Sequence, residues 1–171
     1  KVLAQTAMRQ LEELPYYNTF FQTTHPPAVA LSEKLAELSP PGFNRVFLVN
    51  SGSEANDTVL RMIRRYWALM DQPQRRVVIS RINAYHGSTV ASASMGGQSF
   101  IHKIDGLPIP EIEHIEEPYW YANGGDLTPE EYGLKTARAL EEKILELGEN
   151  RVAAFIGDCL LYTSPSPRDD R

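Results

Sequence analysis

The run Arg75-Arg76-Val77-Val78-Ile79-Ser80-Arg81-Ile82 restricts this chain most. Val77, Val78 and Ile79 are β-branched and apolar without alternation, so both faces of the strand they form must be covered. Cover on both faces is what helices give a parallel sheet, and the flanking text supplies them. Behind Val46–Val49, which reads as a short strand, the apolar residues Val59, Met62, Ile63, Tyr66, Trp67 and Met70 fall at helical spacing. Ahead lies Thr128-Pro129-Glu130-Glu131, a helix start with Thr as N-cap, Pro at the first helical position and Glu at the third. That helix extends to Leu147, where Gly148 suits its C′ position, and Val152–Ile156 reads as a further buried strand. Strands alternating with helices give an α/β fold with a mostly parallel sheet.

The remaining text fills in around this alternation. Val2–Leu14 reads as a helix stopped by Pro15, and "YYNTFFQTTHP" as an aromatic, polar loop. Pro26 or Pro27 opens a second helix through Leu38. Ser88 or Thr89 starts a helix of small residues, and "GLPIPEIEHIEEPYWYANGGD" reads as irregular. The last stretch, Cys159–Arg171, has no periodicity and two Ser-Pro steps. It resembles the translation of a sequencing-library adapter and is expected to be a non-native tail.

Composition narrows the function. A net charge of −5 with no basic patch argues against nucleic acid, and no apolar run approaches the roughly 20 residues of a membrane span. A single cysteine excludes an internal disulfide and fits a reducing, cytoplasmic setting. His25, His86, His102 and His114 show no ligand spacing, so no metal site is expected.

Two motifs carry chemistry. Ser51-Gly52-Ser53-Glu54 stands where the strand text becomes helical, and Ser51 with Glu54 makes a capping-box pattern. The amides of Gly52 and Ser53 then lie in a first turn without intrahelical acceptors, their dipoles aligned with the helix. Gly52 lets an anion approach the backbone, and the two serine hydroxyls add donors, so a phosphate suits this start. An ordinary capped helix would carry the same four residues. No G-x-x-x-x-G-K-[ST] or post-strand G-x-G-x-x-G occurs, so ATP and dinucleotides fit poorly. Asn83-Ala84-Tyr85-His86-Gly87-Ser88 follows the Val77–Ile79 strand at its carboxyl end, where open α/β sheets bind ligands. Tyr85 can offer a flat ring to a heteroaromatic ligand, His86 can donate or accept beside it, and core packing would equally explain both.

Together with "YYNTFFQTTHPPA", "RRYW", "GLPIP", "PYWY" and "EEKILELGENRVAAFIG", these motifs resemble a class III aminotransferase of the ω-amino-acid:pyruvate and polyamine branch. The resemblance covers nearly all of residues 1–158. It implies an aspartate-aminotransferase-like fold (fold type I), an N-terminal helical and loop segment over 1–45 near a dimer interface, and a partial cofactor-binding large domain over 46–158. It implies pyridoxal 5′-phosphate as cofactor, with Ser51, Gly52 and Ser53 around the phosphate, Tyr85 on the ring and His86 beside it. Phe20 and Phe21 would line the substrate pocket. The substrates would be an amine or ω-amino acid and pyruvate or another 2-oxo acid, and the intact enzyme a homodimer. The family's cofactor-bearing lysine has no counterpart here: Lys1, Lys34, Lys103, Lys135 and Lys143 lack its context. Asp158 stands where the family has a glutamate. The 171-residue chain is therefore expected to be an inactive fragment with no catalytic residue of its own. Another fold type I enzyme, an aminomutase or decarboxylase, and a non-catalytic, partly folded fragment remain as alternatives.

Overall fold

The computed structural model describes residues 1–18 and 21–157. Two compact units divide at Leu48/Val49. The first holds α1 (Val2–Glu13) and α2 (Pro26–Leu38). Pro26 and Pro27 open α2, where a missing N–H costs nothing, and the His25 ring nitrogen Nδ1 accepts the Ala28 amide at 3.4 Å.

The second unit contains α3 (Gly52–Leu69), β1 (Val77–Arg81), α4 (Val90–Met95), α5 (Ser99–Asp105), β2 (Ile112–Ile115), α6 (Trp120–Asn123), α7 (Pro129–Leu147) and β3 (Val152–Phe155). The three strands form one parallel sheet in the order β2-β1-β3. β1 is central and its first four residues are buried, as an unbroken β-branched run requires. Its alternate residues face two cores. Val78 joins Leu60 of α3, Met95 of α4 and Ile112 of β2 on one side. Val77 and Ile79 join Ile115, with Leu140, Ile144 and Leu147 of α7, on the other. The result is helix, sheet and helix in three layers. The chain leaves β1 for β2 on one side and returns to β3 on the other, so the sheet changes direction at β1, and its carboxyl end is where such a sheet leaves a crevice.

One irregularity has a visible cause. β1 and β3 pair Val77 with Val152 and Val78 with Ala154, which leaves Ala153 as the extra residue of a bulge. The Trp67 indole donates to the Ala153 carbonyl at 2.9 Å. Arg75 stacks on the same indole, 4.6 Å from the ring centre, and its guanidinium donates to the Val152 carbonyl at 3.0 Å.

Two expectations need correction, and one helix goes beyond them. Val46–Val49 is not a strand: it pairs with nothing among the described residues, and Phe47 is 62% exposed. An apolar run becomes a strand only when a neighbour takes its amides and carbonyls, and no described strand pairs with this one. The stretch read as irregular contains β2 and α6. Two isoleucines only three apart and prolines on both sides hide β2 from any alternation pattern. Between the small-residue helix and β2 lies α5, closed by Gly106 in the left-handed conformation.

Candidate functional site

The start of α3 and the loop after β1 come together through close packing at Gly87. Gly87 has φ +130°, and a Cβ there would lie 2.5 Å from Ser53 Oγ and 2.9 Å from Ser92 Cβ. Only glycine combines that backbone angle with that approach. Gly97 performs a similar service behind the loop, where a Cβ would come within 2.6 Å of the Asn83 amide nitrogen. The Asn83 amide donates to the Gly97 carbonyl and the Gly97 amide to the Ala84 carbonyl, both at 2.9 Å.

The helix start is capped by Ser51, whose Oγ accepts the Glu54 amide at 3.1 Å. The capping box closes one residue further back than its pattern implies. The Glu54 carboxylate accepts the Asn50 amide at 3.0 Å and the Asn50 side chain at 3.1 Å. The amides of Gly52 and Ser53 meet no acceptor among the described residues. A Cβ at Gly52 would meet nothing within 4 Å, so open space lies in front of this turn. Ser53 Oγ accepts the Ser88 amide at 3.0 Å. Each serine oxygen thus accepts one protein amide and keeps its hydroxyl proton to give.

The loop is held by a face of α3 that the sequence reading missed. Ser53, Asn56 and Asp57 stand at i, i+3 and i+4, one side of the helix. The Asn56 amide donates to the His86 carbonyl at 2.7 Å. Asp57 Oδ1 accepts the Thr89 hydroxyl at 2.7 Å, the Ser92 hydroxyl at 3.1 Å and the Ser92 amide at 3.2 Å. The only signal in the sequence was that spacing of polar residues behind Ser53.

Tyr85 and His86 point in different directions. Tyr85 is 51% exposed, whereas His86 is buried, its Nε2 3.1 Å from the Ser80 hydroxyl of β1. The structure therefore brings Ser51, Gly52, Ser53 and the Tyr85 loop together and turns His86 into the support behind them. Phe21 belongs to the first unit and is 90% exposed; Phe20 lies outside the described residues. No group of three metal-ligating side chains occurs among the described residues, and no helix there is long and apolar enough to cross a membrane.

Beyond the loop, His114 of β2 donates its Nε2–H to the Gly96 carbonyl at 2.9 Å. Burial pushes its pKa below the ordinary histidine value, and the neighbouring His102, 5.2 Å away between ring centres, acts in the same direction.

Comparison with known families decides which proteins share this arrangement. The family described as Aminotransferase class-III matches residues 2–159. The chain belongs to the class III aminotransferases. It is 58% identical over 156 residues to a putrescine–pyruvate aminotransferase of Pseudomonas aeruginosa, covering 91% of this chain and 34% of that protein. A diaminobutyrate–2-oxoglutarate transaminase of Halomonas elongata is 41% identical, over 94% of this chain and 35% of its own length. Among solved structures, the PMP-bound form of an aminotransferase from Vibrio fluvialis superposes with a TM-score of 0.88 at 41% identity, covering 93% of this chain and 35% of that one. A thermostable omega transaminase from Pseudomonas jessenii gives 0.89 at 40% identity, over 92% and 35%. The class III chain thus spans about a third of the length of these relatives, and it has the fold of fold type I transaminases.

Proposed function

We propose that residues 49–157 form the phosphate- and ring-binding part of a pyridoxal 5′-phosphate site in a full-length aminotransferase. The observation that carries this reading is the packing of Gly87 on Ser53. It puts an open, amide-rich helix start beside a loop that presents an exposed aromatic ring. The residues fit the cofactor. Open space in front of Gly52 admits a phosphate to the backbone, and the aligned dipoles of an 18-residue helix favour its charge.

When bound, this cofactor supplies an electron sink for a carbanion next to an amine nitrogen. The chain's own residues bind and orient. The Gly52 and Ser53 amides would donate to the phosphate, the Ser51 and Ser53 hydroxyls would add their free protons, and Tyr85 would back the ring. His86, tied to Ser80 and through its carbonyl to Asn56, fixes the loop from which Tyr85 projects.

In the full-length protein the reaction is transfer of an amino group from an amine or ω-amino acid to pyruvate or another 2-oxo acid. The relative at 58% identity makes putrescine and pyruvate the first pair to test. Phe20 and Phe21 line the substrate pocket, the protein works as a cytoplasmic homodimer, and the N-terminal segment serves the partner's site. Residues 1–45 and 46–158 act as the interface segment and part of the cofactor domain. The test is alanine formation from pyruvate by the full-length protein with a panel of amines, with and without Ser53→Ala. Turnover that falls with Ser53→Ala supports the reading. Decarboxylation or amine migration in place of alanine formation would overturn the reaction assigned.

A further inference from the structure

We propose that Asp57 is a positioning residue for the cofactor phosphate, acting through Ser53; this rests on the reading just given. α4 begins at Val90 with Thr89 as its N-cap, yet Thr89 makes no capping bond within its own helix. Its hydroxyl donates instead to Asp57 Oδ1, at 2.7 Å. Ser92, the third residue of α4, gives the same oxygen its amide and its hydroxyl, at 3.2 and 3.1 Å. Asp57 therefore does for α4 what an N-cap side chain does, but from another helix. The Ser92 hydroxyl also lies 2.8 Å from the Ser53 carbonyl, so the clamp falls on the turn that carries Ser53.

The consequence reaches the ligand side through one bond. Where the Ser53 hydroxyl can aim its proton depends on the amide it accepts, that of Ser88. Ser88 adjoins Thr89, the residue Asp57 holds. Releasing Thr89 and Ser92 frees the Ser88 amide from Ser53, and Ser53 then loses its orientation toward an anion. Ser92 is fully buried, so without Asp57 its amide has no water to turn to, while its hydroxyl proton, shared between Asp57 and the Ser53 carbonyl, keeps the carbonyl alone. All three donors meet a single carboxylate oxygen, so the side-chain carbonyl of asparagine can accept them too. Geometry rather than charge is what the position needs, and this gives the proposal a signature.

The test uses the full-length apoprotein, titrated separately with pyridoxal 5′-phosphate and with pyridoxal, which lacks only the phosphate. The readout is the ratio of the two dissociation constants. Asp57→Ala should lower the phosphate preference about tenfold, the scale of one hydrogen bond to a charged group. Asp57→Asn should stay within about threefold of the parent, since its carbonyl replaces the acceptor. Should Asp57→Ala fail to fold, Thr89→Val decides: a lowered ratio supports the proposal and a parental ratio overturns it. An unchanged ratio in Asp57→Ala, or equal losses for both ligands with a lower melting temperature, would also overturn it. A parent protein without phosphate preference, or one whose preference survives Ser53→Ala, would sink the underlying site reading instead.

Discussion

Replacing Gly87 by alanine tests the joint between the two halves of the site. The added Cβ would sit 2.5 Å from Ser53 Oγ, 2.9 Å from Ser92 Cβ and 3.0 Å from Ser53 Cα. Two of those atoms are backbone or directly attached to it, so rotating a side chain cannot clear them. Rotating Ser53 would also break its bond from the Ser88 amide. The angle φ +130° adds a backbone cost, since residues with a Cβ rarely adopt it. Strain of about 1–3 kcal/mol for such a conformation and about 1–3 kcal/mol for overpacking put the total at roughly 2–6 kcal/mol. The assay is chemical denaturation of the full-length apoprotein, with cofactor titration alongside. The midpoint should fall with little change in slope, and the affinity for pyridoxal 5′-phosphate should fall with it. A Gly87→Ala protein that denatures and binds like the parent would refute the packing argument.

Other substitutions separate stability from binding. Gly52→Val should leave the apoprotein as stable as before or slightly better, since its Cβ meets nothing and glycine is a poor helix residue; cofactor affinity should drop sharply, as equilibrium dialysis would reveal. Tyr85→Ala should weaken cofactor binding by about 1–3 kcal/mol, by analogy with base–aromatic stacking, without shifting the melting temperature of the apoprotein. Trp67→Phe leaves the bulged Ala153 carbonyl without its donor and should cost about 1–3 kcal/mol in denaturation. His114 gives a pH test: burial lowers its pKa in the fold, so the unfolded chain takes up the proton first. Stability should therefore decline as pH falls below about 6.5, the ordinary histidine value. His114→Gln should flatten that decline, measured as denaturation midpoints on either side of it.

Much of this architecture could be read in advance because local chemistry and global packing agree. Val77–Ile79 had to be a covered strand. Thr128 and Glu131 had to start a helix, and both bonds of that capping box form, the Thr128 amide to Glu131 at 2.8 Å and the return bond at 3.2 Å. The Thr128 amide and hydroxyl hold the Glu131 carboxyl below its ordinary pKa. What escaped the reading depends on partners distant in sequence. β2 is a strand because β1 lies beside it, with Val78 opposite Ile112 and Arg81 opposite Ile115. Val46–Val49 has the composition of a strand but no ladder among the described residues. Ser51–Ser53 and Tyr85 were visible as motifs, since each has a local signature. Asn56 and Asp57 were not, because their work is done on residues 30 or more positions away. His86 looked like a companion of Tyr85, whereas burial beneath the loop gives it Ser80.

The central claim, that the start of α3 and the loop after β1 hold one phosphorylated ring, is tested most directly by a crystal structure of the full-length protein with pyridoxal 5′-phosphate bound. The account predicts phosphate oxygens within hydrogen-bond distance of the Gly52 and Ser53 amides, with the Tyr85 ring against the face of the pyridine. A phosphate bound elsewhere, with the turn at Gly52 facing solvent, would contradict it.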